Sequence, residues 1–301
     1  MAPLRHLVVH FTILFGFATP FSSANTSNKM VNSVCRKAPA VFVNHGAGPF
    51  PILKPITDPR HGSTRAFLEN VAPQWLGLKD PATKPAAIVL VSAHFEEAVV
   101  TISSGEAHDL YYDYYGFPDE AYSLTYKAKG SPVIAQNIQT LLAAANIPSQ
   151  LDPSRGWDHG VFVPMKLIHP DEDIPIIQMS VVAGLDPALH YRIGQALASL
   201  REENIAIVGS GATFHPSRGT DDIEKKAKLF NDALVDACSK SDAVERYEAL
   251  KSWASLPHAR DCHQREEHLI PLHVIAGAGG DGPATSYDIT GNGMFRSVGW
   301  G

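Results

Sequence analysis

The sequence predicts an α/β fold: a single domain with a mostly parallel central sheet flanked by helices, carrying one small hairpin-and-loop insertion. Three observations predict it. Short runs rich in valine and isoleucine recur at residues 40–44, 86–93, 174–182 and 204–209. Uninterrupted apolar runs of that length suit strands buried on both faces. Amphipathic stretches lie between and after them, the alternation that a parallel sheet with crossover helices requires. Finally, no repeat, low-complexity tract or linker divides the chain.

The elements follow in order. Residues 1–24, MAPLRHLVVHFTILFGFATPFSSA, carry one charge, Arg5, then an apolar run from Leu7 to Phe21, then small residues. That order predicts a secretory signal peptide. His10, Thr12, Gly16 and Pro20 interrupt the run and leave it too short for a transmembrane helix. The mature protein is therefore expected off the membrane and secreted, with a cytoplasmic location as the alternative. Residues 25–38 read as a polar spacer, and residues 39–301 as the folded domain.

Within that domain, residues 98–126 join VVTIS to the aromatic DLYYDYYGFPDEAY and form the predicted insertion. A Ser-Pro start opens a helix over 131–147, where Ile134, Ile138, Leu141 and Leu142 recur at helical spacing. An Asp-Pro start and an asparagine end bound a second helix over 186–204. Two more are expected at 221–240 and 243–256, and a further helical stretch, HQREEHLIPLHV, at 263–274.

Composition narrows the function. The formal charge is −6 and no lysine- or arginine-rich stripe occurs, so nucleic acid is not an expected partner. Three cysteines, Cys35, Cys238 and Cys262, allow at most one disulfide and no disulfide framework.

Three of the buried strands run into histidines. AVFVN is followed by His45, AIVLVSA by His94, and IAIVGSGATF by His215. Ligands in open α/β sheets bind outside the carboxyl ends of the strands, so these three converge on the edge where a site is built. The Gly-Ser-Gly before His215 lacks the further glycine of a dinucleotide fingerprint and the lysine of a P-loop, and serves to present the histidine. RGWDHG sets Asp158 beside His159, and the 263–274 stretch carries His263, Glu266, Glu267 and His268. His108 begins the aromatic loop and is expected to line a pocket. Histidines gathered from separate strands suggest a divalent transition metal, because neutral imidazole suits Zn, Fe, Cu and Ni. The spacing does not choose among them. His61, His169, His190, His258 and His273 stand beside prolines, helix ends or solvated faces and are given no role.

Six ordered stretches, NHGAGPFPIL, VSAHFE, HDLYYDYYGFPDEAY, WDHGVFVPMKLIHP, GSGATFHP and REEHLIPLHVIAGAGG, make residues 39–301 resemble the catalytic domain of the class III extradiol ring-cleavage dioxygenases. Within these, the chain is similar to the 4,5-DOPA dioxygenase branch. The resemblance implies that His45 and His94 are metal ligands and that His268 is the third, with Glu267 as the alternative. It implies that His215 is the catalytic base, or a fourth ligand to zinc, and that His159 acts as an acid or orients substrate. Asp158, tuning His159, and His108 are expected on the substrate side. The cofactor implied is Fe(II) for activity, or Zn(II) as the bound metal. The partners implied are a small aromatic diol and dioxygen. The chain departs from the branch at 126–130, where YKAKG sets Lys127 and Lys129 at the expected substrate mouth. Two other functions use the same residues: a zinc hydrolase in which these histidines activate water, and a non-enzymatic binding protein on the same scaffold.

Overall fold

The computed structural model describes residues 37–215 and 221–301. The expected leader, most of the polar spacer and Cys35 lie outside these residues. Cys238 and Cys262 are buried free thiols.

Eight strands form one sheet: β1 (Ala40–Asn44), β2 (Ala87–Glu97), β3 (Val100–Ser103), β4 (Ser149–Asp152), β5 (Ile176–Val182), β6 (Ile205–Gly211), β7 (Thr285–Asp288) and β8 (Arg296–Trp300). Their order across the sheet is β4-β3-β5-β2-β6-β1-β8-β7. The inner four are parallel, with Ile88 opposite Ile176, Ala87 opposite Ile205 and Ala40 opposite Ile207. These are the four apolar runs of the sequence, and their residues are buried on both faces. Direction reverses at each flank, where β8 runs antiparallel to β1 and β3 antiparallel to β5.

The helices are α1 (Phe50–Leu53), α2 (Gly62–Asn70), α3 (Ala72–Trp75), α4 (Pro132–Ala144), α5 (His159–Ile168), α6 (Pro187–Leu197), α7 (Ile223–Cys238), α8 (Ala243–Lys251), α9 (Ala259–Cys262) and α10 (Ile270–Ala278). They cover the sheet in two layers, because alternate strand residues point to opposite faces. Phe42, Val89, Met179 and Ile207 meet α4, α6, α7 and α10 on one face. Val41, Val43, Leu90 and Val208 meet Phe67 and Leu68 of α2 and Val161 to Met165 of α5 on the other. The predicted caps form: Ser131 Oγ accepts from the Ile134 amide and Asp186 from the Ala188 amide.

Two local expectations are corrected. The segment after β2 is no hairpin. β3 pairs with β5, Ile102 opposite Met179, and with β4, while β2 pairs with β5 and β6. The helix expected over 263–274 begins only at Ile270, with Pro271 in its first turn. A proline lacks the amide that an interior position would use and is tolerated at a helix start, so His263 to His268 stand in irregular chain before the helix. Strands β4, β7 and β8 went unpredicted. β4 and β7 are edge strands, exposed or half-exposed, and lack the apolar run that marks a central strand.

Candidate active site

The histidines of the site are placed by turns, a bulge, a helix start and main-chain pairing, with partners from distant parts of the chain. His45 follows the last residue of β1. The Asn44 side chain anchors that point by donating to the Arg296 carbonyl and to Ser297 Oγ, while its Oδ1 accepts from the Thr213 amide. Gly46 then turns the chain at φ +82°, and a Cβ there would stand 2.4 Å from Pro51 Cγ, so only glycine fits.

The His45 ring is oriented by a chain of three groups. Pro164 lies inside α5 and has no amide to give the Gly160 carbonyl four residues back. Ser210 donates its hydroxyl to that carbonyl instead, at 2.5 Å. Its proton being committed, Ser210 Oγ accepts from His45 Nδ1 at 3.0 Å. The tautomer of His45 follows: the proton sits on Nδ1 and the Nε2 lone pair faces the site.

His94 emerges where β2 loses register with β5. Ser92 pairs with Ser180, but the next pair is Glu96 with Val181, so residues 93–95 bulge out of the ladder. Bulges re-aim side chains beside sites, and this one turns His94 toward His45. Their Nε2 atoms are 3.2 Å apart. His159 opens α5, and its Nδ1 lies 2.8 and 2.9 Å from the two carboxylate oxygens of Asp113. The His159 amide donates to the same carboxylate. His268 is carried in by main-chain pairing, since the Ala212 amide after β6 donates to the His268 carbonyl. Its Nδ1 meets Glu267 Oε1 at 2.9 Å. His215 stacks on His268 with ring centroids 4.0 Å apart and planes 10° from parallel.

Four imidazoles thus crowd one floor. From His94, the ring centroids lie 4.9 Å to His45, 3.9 Å to His159 and 4.9 Å to His268. Burial first, then the neighbouring rings, hold His45 and His94 well below the ordinary histidine pKa. His215 is lowered as well, by partial burial and by His268. Burial pushes Glu267 up, but its hydrogen bond and charge attraction with His268, a backbone amide and His215 together leave the carboxyl below its usual range.

Such a donor set fits a divalent metal. Nitrogen ligands about 2.0–2.1 Å from a tetrahedral ion stand about 3.3 Å from each other, close to the His45–His94 separation. The distal nitrogens of His45, His159 and His268 are held by a hydroxyl or a carboxylate, the arrangement that orients metal-binding imidazoles. Two groups of donor atoms lie mutually within 4.8 Å: His45, His94 and His159, and His215, Glu267 and His268.

A cavity of about 450 Å³ opens above this floor, with His94, His159, His215 and His268 in its lining. Tyr114, Phe117, Phe214 and Phe295 form apolar walls, and Asn44, Thr64, Arg60 and His61 add polar groups. Five sequence-selected histidines therefore come together. Two other expected residues do not reach the cavity. Asp158 is fully buried, where it caps α5 and accepts from Ser92, Gln178 and Arg155; Asp113, not Asp158, grips His159. His108 packs on Trp157 and bonds the Arg155 and Gly105 carbonyls behind the site. Lys127 and Lys129 are exposed and absent from the lining, so they do not form the mouth. Sequence reasoning passes over Asp113, Ser210 and Arg60, and gives His61 no role. Only the aromatic loop around Asp113 carries any signal.

Comparison with known proteins agrees with this geometry. Residues 42–296 match the family described as the catalytic LigB subunit of aromatic ring-opening dioxygenase. The chain is 45% identical over 255 residues to dioxygenase tasH of Hapsidospora irregularis, covering 80% of this chain and 78% of that one. It is 40% identical over 247 residues to a 4,5-DOPA dioxygenase extradiol of Beta vulgaris, covering 80% and 86% respectively. A crystal structure of an uncharacterized Escherichia coli K12 protein superposes with a TM-score of 0.65 at 28% identity, over 88% of this chain and all of that one. The strand-end histidines, the aromatic cavity above them and the match along the domain lead to one conclusion: the chain belongs to the LigB family of aromatic ring-opening dioxygenases and is an extradiol ring-cleaving enzyme.

Proposed function

We infer that the substrate is a catechol with a side arm, DOPA-like in outline, opened by dioxygen at Fe(II), and that zinc binds the same site without supporting turnover. The observation that carries this reading is the pair of Nε2 atoms 3.2 Å apart on the floor of an aromatic-walled cavity. A flat diol ring suits walls of Phe117, Phe214 and Phe295, which bury its faces and exclude water.

His45 and His94 would hold the metal, with His268 completing the set. Glu267 then serves as the orienting partner of His268, its Oε1 bonded to Nδ1. When bound, the divalent ion lowers the pKa of the catechol hydroxyls and activates dioxygen. The remaining work falls to protein groups. His215, its pKa depressed, is neutral near pH 7 and takes a phenolic proton on its imidazole nitrogen. His159 directs Nε2 into the cavity while Asp113 holds Nδ1, so it can accept a proton there and return it to the opening ring. Asp113 stabilises the imidazolium formed in between.

The leader-like residues 1–24 support export as part of the same reading, checked by N-terminal sequencing of the secreted fraction. The test of function is a metal exchange. Full-length protein loaded anaerobically with Fe(II) or with Zn(II) is offered a catechol panel in an oxygen electrode cell. Oxygen uptake with a yellow product in the Fe(II) sample alone is expected. Turnover in the zinc sample without oxygen uptake would replace the reading with zinc hydrolysis.

A further inference from the structure

Of the four imidazoles on the floor, three have an Nδ1 partner among the described residues: Ser210 for His45, Asp113 for His159 and Glu267 for His268. His94 is the exception. Its Nε2 stands 3.2 Å from Nε2 of His45, so the two lone pairs serve one metal position and the His94 ring proton sits on Nδ1. A metal-binding imidazole donates its second N–H to an acceptor that fixes ring and tautomer. Among the described residues, the nearest carboxylate oxygen to that nitrogen is Asp113 Oδ2, at 3.8 Å.

Asp113 has the capacity for this second bond. Its Oδ1 accepts from the His159 amide at 2.9 Å and from His159 Nδ1 at 2.8 Å, while Oδ2 lies 2.9 Å from the same Nδ1. A carboxylate offers about four lone-pair sites, so with Oδ1 holding His159, Oδ2 is left for His94. Closing the 3.8 Å gap takes about 1 Å, within a turn of the carboxylate about its last bond, a torsion with a broad minimum. The surroundings are fixed. The Tyr111 amide donates to the Trp157 carbonyl at 2.7 Å and the Trp157 amide to the Asp109 carbonyl at 2.9 Å, which pairs the loop bearing Asp113 with the chain just before His159. A Cβ on Gly160 would stand 2.5 Å from Ser92 Oγ and 3.4 Å from His94 Cδ2, so glycine lets the start of α5 close on the His94 ring. The His94 and His159 rings lie 3.9 Å apart and are largely shielded from water, where an unpaired N–H is costly.

We propose that Asp113 is a positioning residue for two histidines at once: it accepts from Nδ1 of His94, completing the orientation of a metal ligand, as well as from His159. One carboxylate then sets the donor strength of the metal site and the place of the acid–base ring beside it. This rests on the reading of the floor as a metal site, given above, and not on turnover.

Zinc affinity of the full chain, measured by chelator competition without catechol, tests it. Asp113→Asn is close to isosteric, but an amide offers one acceptor group and one donor group, so it serves one of the two rings and not both. Zinc binding is expected to weaken about ten-fold or more. His159→Ala is expected to bind zinc within about two-fold of wild type, and Asp113→Asn to cost the same factor in that background. Asp113→Glu, which keeps two acceptor oxygens, recovers part of the loss. The second readout is the His94 Nδ1–H proton resonance of the zinc-loaded protein, which moves upfield in Asp113→Asn while that of His45 stays. Zinc affinity unchanged within about two-fold in Asp113→Asn, or a loss that vanishes in the His159→Ala background, overturns the proposal, because Asp113 then acts through His159 alone. An unmoved His94 resonance also overturns it, leaving only the loss of a charge near the ion. The outcomes separate the two readings. A wild type that binds no zinc removes the metal site and this proposal with it, whereas tight binding indifferent to Asp113 removes the proposal and leaves the site.

Discussion

At the scale of single residues, the site depends on which nitrogen of each imidazole is free. Ser210 decides this for His45, and its hydroxyl has no spare proton because the Gly160 carbonyl holds it. Ser210→Ala removes that constraint and should weaken metal binding by about 10–100-fold, read by chelator competition, with little change in fold. His45→Ala and His94→Ala should lose the metal altogether. The remaining ligand is separated by a paired comparison: His268→Ala should lose bound metal, while His159→Ala should keep it and lose about 10²–10⁴-fold in kcat. The opposite pattern would make His159 the ligand, since its donor atom also groups with those of His45 and His94. At this scale the sequence is readable for histidines and blind to their partners. A histidine just beyond an apolar strand is visible in one dimension. Asp113 meets His159 across 46 positions and Ser210 meets His45 across 165, and no local pattern announces either contact.

At the scale of elements, Pro164 links helix construction to the site. Inside α5 it forgoes one helical hydrogen bond, and the freed carbonyl becomes the acceptor for Ser210. Pro164→Ala should leave thermal stability equal or higher, since an interior proline is about 3 kcal/mol less favourable than alanine. It should nevertheless weaken metal binding about ten-fold, because the restored amide competes for Gly160. A variant unchanged in both respects would break the link between helix and metal. Gly46→Ala tests the turn after β1. A side chain at φ +82°, in contact with Pro51, should cost about 1–3 kcal/mol in urea unfolding and displace His45. The inner strands and the α4 and α6 caps are legible because burial on both faces and Ser-Pro or Asp-Pro starts are local signals. The stretch holding His268 reads as helix in the sequence since its apolar spacing continues smoothly into α10, while Pro271 marks the true start. Strand β3 escapes a hairpin because its pairing with β5 is set by tertiary packing, not by the turn after Glu97.

For the whole molecule, a core that buries neutral histidines makes stability depend on pH. Far from the cavity, His190 accepts the Val182 amide and His273 bonds the Leu250 carbonyl; burial lowers each to about 4. Both folded values lie below the unfolded histidine value near 6.5, so the unfolded chain takes up protons that the folded chain refuses. Their contribution is intact above that value and is lost as pH falls toward about 4, by up to about 3 kcal/mol per pH unit for the pair. Urea midpoints of metal-free protein should therefore drop clearly between pH 7 and pH 5, and a flat profile would contradict the burial of these rings. The overall α/β architecture is readable from alternation alone, yet the cavity is not. Its walls come from the turns before and after α1, from the aromatic insertion, from the chain after β6 and from the residue before β8, segments whose nearness is a property of the finished fold. The most direct test of ring opening by dioxygen is the stoichiometry of Fe(II)-loaded protein with the catechol dihydrocaffeate, following oxygen consumption and product mass together. One dioxygen consumed per catechol and a product heavier by both oxygen atoms are expected; catechol recovered unchanged from metal-loaded protein, with no oxygen consumed, would contradict ring opening here.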